Sequence, residues 1–297
     1  MRINPNFTPN LLDDLWQEES RAQNDMQELA TGRRVNVPSD DPSAATADVQ
    51  NQALQGQNDQ YLQNTTNLEG MLQTADSTLS SVVTALNQAI SLGVQGGNGG
   101  LSAAQQQAIA QQVEGIQSQV VQLANVSYQG SYIFGGTATQ SPPFALDPTQ
   151  SSGVSYSGNT GVNTVEISQG ETMQVNLPGS QVFQGAGGNV MGCLQQLVTA
   201  LQSGNADGIA AATTQVTNAL SYLSQQRIFF GSAVSQLTDN QSFLQKEQVS
   251  LQTQDNALVG ADLAQAATDL AQAQTAQTAA LEAIAQALPQ SLLNYLK

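Results

Sequence analysis

Apolar side chains return every seventh position late in the chain, at Phe230, Leu237, Leu244, Leu251 and Leu258. After a step of five the pattern resumes as Leu263, Ala267, Leu270, Gln274, Gln277, Leu281, Ile284 and Leu288, in alternating fours and threes. That spacing is the seam of a coiled coil. Ala, Leu, Gln and Glu dominate the positions between, and all are strong helix formers. Periodicity and propensity together predict one nearly continuous helix over 226–288. At about 1.5 Å per residue it is too long and thin to bury its own stripe, so it requires partners along its length.

A matching stripe lies at the other end of the chain. Thr8 is placed to cap a helix with Pro9 in its first position, followed by Leu12, Leu15, Ala22, Met26 and Leu29 at helical spacing, with Glu19 as the one polar intruder. Thr31-Gly32 closes it, since Gly is the usual residue just past a helix end. The expected assembly seam is therefore Leu12, Leu15, Met26 and Leu29 against Leu263, Leu270, Leu281, Ile284 and Leu288.

Between these ends the pattern is again helical over 43–92, with Val49, Leu54, Tyr61, Leu68, Leu72, Leu79, Val82, Leu86 and Ala89 assigned to one broad face. The run Gly96 to Gly100 breaks it, and Ser102 opens a third helix through Ile109, Val113, Ile116, Val120 and Leu123. Shorter helical pieces follow from Val190 and over 209–222. In the middle the period changes to two. Val154–Tyr156, Thr164–Ile167 and Thr172–Leu177 read as short strands between glycine turns. Fewer than about sixty residues bury little core, so this β module is expected to lean on the helices or on neighbouring subunits.

The predicted fold is mainly α: a long antiparallel helical bundle with paired terminal coiled-coil helices and a small β-rich insertion. Its expected divisions are 1–42 with 259–297, disordered in the monomer; a helical rod of 43–130 with 190–258; and the β module, 131–189.

Composition narrows the chemistry. Among 297 residues only 10% are charged, the net charge is −16, and seven residues are Lys or Arg. Nucleic acids and anionic membranes both call for a basic face, and this chain offers none. With no histidine and the single Cys193, the usual general base, zinc set and thiol pair are all missing. Cys193 reads as a small apolar residue at a helix start. Glu166 and Glu171 read as a polar strand face and a turn, and the Gly96–Gly100 cluster lacks the Lys and preceding strand of a phosphate loop. No catalytic, cofactor or metal residue is assigned. The N-terminus has no apolar signal core, and no run approaches the ~20 apolar residues that span a bilayer.

The loop after the first helix carries Gly32, Arg33, Arg34, Asn36, Pro38, Ser39, Asp40, Asp41 and Pro42. Asp41 is placed to cap the next helix with Pro42 at its first position, while Arg33 and Arg34 either pair with Asp40 and Asp41 across the loop or stay solvated. The run Leu29 to Asn36 followed by Pro38 to Pro42 resembles the signature after the first helix of bacterial flagellins and flagellar hook-associated proteins. Ser291 to Leu296 resembles their common C-terminus. Met1-Arg2-Ile3, Tyr132 to Thr137, Pro142 to Phe144 and Tyr156 to Gly158 are most similar to the branch that joins hook to filament.

The resemblance implies a structural subunit exported without a cleavable signal through the flagellar type III apparatus, its terminal helices folding on polymerisation. Its partners would be copies of itself in a tubular layer, another hook-associated protein on the hook side, flagellin on the filament side and an export chaperone. Two alternatives stand beside it: filament flagellin itself, and a secreted coiled-coil binding protein outside the flagellum, which would not need the loop and terminal motifs.

Overall fold

A computed structural model describes the backbone of residues 7–293 and side chains from Leu12 to Ala285. Met1-Arg2-Ile3, the side chains of Thr8, Pro9 and Leu288, and most of the C-terminal motif lie outside the described residues. The described chain has seven helices: α1 (Phe7–Thr31), α2 (Pro42–Gly96), α3 (Ala103–Ala124), α4 (Gly179–Gln184), α5 (Val190–Ser203), α6 (Ala206–Val259) and α7 (Leu263–Leu293). The mainly α fold with a small β insertion is as expected. Two compact units form: one is Asp59–Gln245, and the other gathers the two ends of the chain, up to Asn58 and from Lys246.

The larger unit holds the apolar core. From α2 come Leu72, Leu79 and Leu86, seven apart and fully buried; α6 supplies Val216, Leu223, Phe230 and Leu237. Between them pack Ile109, Val113 and Val120 of α3 and Leu194, Leu197 and Leu201 of α5. Full burial of a Leu or Phe contributes about 1.5–3 kcal/mol each, so this set dominates the unit's stability. Ser102 starts α3 with a capping box, its hydroxyl accepting from the Gln105 N–H while the Gln105 side chain takes the Ser102 N–H at 2.8 Å. Arg227 of α6 forks onto both oxygens of Asp76 of α2 at 3.0 Å, which fixes their register.

Three two-stranded antiparallel sheets make the β module: β1 (Ser127–Tyr128) with β2 (Ser131–Tyr132), β3 (Phe144–Leu146) with β4 (Val154–Tyr156), and β5 (Thr164–Ser168) with β6 (Glu171–Gln174). The first hairpin turns through Gln129 and Gly130, both at positive φ, the geometry that suits the twist of paired strands. The module leans on the helices. Phe144, Val154, Ile167 and Met173 are buried in the same core as α2, α3, α5 and α6. Phe183 of α4 meets Phe134 and Phe144 edge-on at 5.2 and 5.4 Å. At the end of α3, Asn125 holds β3 by giving its amide to the Phe144 carbonyl (2.7 Å) and accepting the Phe144 N–H (2.9 Å). Glu166 accepts from the Tyr61 hydroxyl and the Gly170 N–H, both at 3.0 Å, a strand-end role. Cys193 is buried in α5, and burial pushes its thiol up to about 12.

Three expectations need correction. The single helix over 226–288 is two: α6 starts already at Ala206, absorbing the piece at 209–222, and ends at Val259. Asp262 then opens α7, its carboxylate accepting the N–H groups of Ala264 (3.0 Å) and Gln265 (3.1 Å). On α2, Val49 and Leu54 point outward, 67% and 46% exposed, while Ala44, Asn51 and Asn58 are buried. Helix α1 already includes Phe7, so Thr8 is not its first flanking residue.

Candidate assembly interface

The loop from Gly32 to Pro42 owes its shape to its own residues. Gly32 sits at φ +69°, the left-handed conformation that ends α1, and its N–H returns to the Glu28 carbonyl at 2.8 Å. Asp40 does not pair with Arg33. Its carboxylate instead accepts the backbone N–H groups of Asn36 (3.0 Å) and Val37 (2.9 Å), closing a turn across Pro38 and Ser39. Asn36 braces the same turn by donating to the Arg33 carbonyl at 2.7 Å.

Asp41 caps α2 as expected, accepting from the Ala44 N–H at 3.0 Å and the Ser43 hydroxyl at 2.8 Å, with Pro42 in the first helical position. Those bonds, the backbone one foremost, hold its carboxyl below the usual aspartate range. Arg34 lies 3.4 Å from Asp41, while Arg33 turns inward to Asp48.

The break after α6 is where this loop docks. The Arg34 N–H donates to the Val259 carbonyl at 2.7 Å, and the Ala261 N–H to the Gly32 carbonyl at 3.0 Å, so Arg33 and Gly260 form an antiparallel bridge. Beneath it Val35, Ala44 and Val259 make a small buried cluster with Ala45 and Leu258 against them. A strict helix would have sealed these backbone groups; the interruption at Gly260 frees them for the loop.

From that clip α7 runs back antiparallel along α1. The side chains buried between them are not the leucines. Ala22 of α1 and Ala266 and Ala273 of α7 fill the contact, each 6% exposed or less. Leu15, Leu29, Leu270 and Ile284 are half-buried at its margins. Leu12, Met26, Leu263 and Leu281 are about half exposed, and Trp16 is 72% exposed. The expected seam thus splits in two, because a sequence rich in Ala packs its small residues inward and leaves larger ones outside.

Charge does not favour this pair. Asp25 is raised above the ordinary aspartate range, first by the limited desolvation it has and then by Asp269 across the contact, with Arg21 opposing; Glu28 is raised in the same way, with Asp25 the leading neighbour.

Among the described residues no group of three or more His, Cys, Asp or Glu is placed to hold a metal, and no helix is long and apolar enough to cross a membrane. What the unit offers is a closed loop, a backbone clip and two helices that expose Leu12, Trp16, Met26, Leu263 and Leu281.

The family model for the bacterial flagellin N-terminal helical region matches residues 6–139, and that for the C-terminal helical region matches residues 213–296. Flagellar hook-associated protein 3 of Salmonella typhimurium is 34% identical over 166 residues, 56% of this chain and 51% of that protein. Its Escherichia coli counterpart is 30% identical over the same shares. The alignment spans about half the length of these relatives. The crystal structure of Bacillus cereus FlgL superposes with a TM-score of 0.58 at 24% identity, covering 71% of this chain and 99% of that one, which is a likeness of fold.

Proposed function

Since this chain belongs to the bacterial flagellin family by both of its terminal regions, we propose that it is a structural subunit of the flagellum that joins hook to filament. The relatives named hook-associated protein 3 support that branch. In this reading copies of the chain form a short tubular layer, with another hook-associated protein on the hook side and flagellin on the filament side. The subunit reaches that place by flagellar export, without a cleaved signal and with a chaperone, and carries out no catalysis.

The observation that carries the proposal is the inversion in the terminal pair. An alanine contact buries little area, at about 25 cal/mol per Å², against a backbone ordering cost of about 1–2 kcal/mol per residue. The α1–α7 pair therefore gains most of its stability when Leu12, Trp16, Met26, Leu263 and Leu281, exposed in the single chain, are covered by neighbouring subunits. Helical symmetry repeats one heterologous contact around the wall.

The test is genetic and visual. A strain lacking the gene is expected to show hooks without filaments by negative-stain microscopy, restored by the intact gene and not by Leu270→Asp. Normal filaments in the deletion strain would remove the proposal. Long fibres grown from the purified chain alone would move it to filament flagellin.

A further inference from the structure

In the unit built from the chain ends, α2 and α6 meet through polar groups. Asn51 and Asn58, each 3% exposed and seven residues apart, take the positions where a coiled coil carries leucine. Asn51 donates its amide to the Leu251 carbonyl at 2.9 Å, and Asn58 to the Gln248 side-chain oxygen at 2.8 Å. One turn earlier Asp48 is 8% exposed. It receives the Arg33 guanidinium from the loop and the Gln52 amide on both oxygens at 3.0 Å. Its other neighbour is acidic. The Asp255 carboxyl of α6 stands against Asp48 with Asn51 alongside, and its Oδ1, closed off from solvent, receives no donor.

Two carboxylates in contact cannot both ionise freely, and the single cation Arg33 offsets only one charge. We propose that Asp48 and Asp255 form a proton-sharing clasp that fastens the Arg33 loop to the α2–α6 pair, closed while one proton bridges the carboxyls and loosened when it leaves. The charged groups facing it are Arg33 from the loop, Asp48 from α2 and Asp255 from α6. Arg34 is turned to Asp41 and the Leu258 carbonyl, Asp41 to the start of α2, and Asp262 to the start of α7.

The titration directions agree with this geometry. Asp255 is pushed up, first by its hydrogen bond to Asp48 and then by burial and repulsion. For Asp48, burial acts upward, but the bonds from Asp255 and Gln52 together with Arg33 outweigh it and bring it below its ordinary value. A group raised in the folded state contributes fully below its unfolded value and loses that contribution as pH rises through the folded one. The clasp therefore holds in mild acid and weakens toward the alkaline side. The lowered Asp48 acts oppositely, contributing above the ordinary range near 4 and failing only in stronger acid.

The experiment uses the full chain with 13C-labelled aspartate carboxyls, followed by NMR from pH about 4 to about 9, beside amide exchange corrected for intrinsic rate. One resonance, absent in Asp255→Asn, is expected to titrate above the ordinary aspartate range. Over the same rise, exchange in residues 33–48 and 256–265 should quicken several-fold in the native chain and stay level in Asp255→Asn, whose amide donates at every pH. If Asp255 titrates in the ordinary range, or Asp255→Asn keeps the native pH dependence of exchange, the clasp is wrong. Should Asp255→Asn not fold, Asp48→Asn takes its place: with the partner charge gone, the raised resonance should return toward the ordinary range, and its staying put would equally overturn the proposal.

Discussion

Arg34 gives its backbone N–H to the carbonyl of Val259 at 2.7 Å, so the residue three past the end of α1 is tied to the last residue of α6. Its side chain adds a bond to the Leu258 carbonyl at 3.0 Å. Arg34→Ala removes the side-chain bonds and keeps the N–H; Arg34→Pro removes both and leaves the Val259 carbonyl without its donor, a loss of about 1–3 kcal/mol. Urea unfolding and exchange in residues 256–265 should therefore show a small effect for Ala and a large one for Pro. Equal effects would mean that the side chain, and not the backbone tie, holds the clip.

Reversing the Arg34–Asp41 pair is expected to fail as a rescue. Asp41 is also the cap of α2, and an arginine there cannot accept the Ala44 N–H that now lies 3.0 Å from its carboxylate. The double exchange Arg34→Asp with Asp41→Arg should assemble no better than Arg34→Asp alone. Full recovery in a filament-formation assay would show that only charge matters at these two positions.

Acid should fray the start of α2. The Asp41 carboxyl is held low chiefly by the Ala44 N–H, so its contribution is present above the ordinary aspartate value and disappears as pH falls through the lower folded one. Protection of the first turn of α2 is expected to persist to about pH 4 and drop below it. Loss of protection already at neutral pH would contradict the cap.

The Tyr132 to Thr137 signature has a steric reason at Gly136. Its φ is +73°, and a Cβ there would stand 2.3 Å from the Asn159 backbone oxygen. Gly136→Ala should destabilise the larger unit by roughly 1–3 kcal/mol or more, since strain and clash add. A midpoint in urea unchanged from the native chain would show that the loop relaxes at no cost.

Neutralising the acidic contact between α1 and α7 should strengthen it. Asp25 is raised partly by Asp269, so stability from this pair is fullest below the ordinary carboxylate range and declines as pH rises through the folded value. Asp269→Asn, or added salt, should slow exchange in α1 at neutral pH. Faster exchange in the variant would place the cost elsewhere.

Where apolar residues recur at sevens with nothing competing, the sequence was legible: Phe230, Leu237, Leu244 and Leu251 are buried as spaced, and Ser102 and Asp41 start helices as their types demand. The face of α2 before Asn58 was not. Hydrophobic periodicity weighs Val49 and Leu54, whereas Asn51 and Asp48 are buried because α6, distant in sequence, supplies a carbonyl and a carboxyl for them. The break at Gly260 left a trace in the five-residue step from Leu258 to Leu263, but its cause is the Gly32–Arg34 backbone, which no local pattern contains. The alanine contact of α7 was hidden because alanine is everywhere in that helix, and its neighbouring leucines carry the stronger signal.

Ala266 and Ala273 stand one heptad apart on α7. A contact whose buried centre repeats after seven residues and is toothed only by methyl groups, with Leu15, Leu29, Leu270 and Ile284 half-buried at its margins, resists only weakly a slide of about 10.5 Å along the helix axis. Large side chains would resist such a slip by collision; alanines resist it hardly at all. The correct setting must then come from the end of the track, where the bonds from Arg34 to Val259 and from Ala261 to Gly32 act as the zero mark from which the whole length of α7 against α1 is measured.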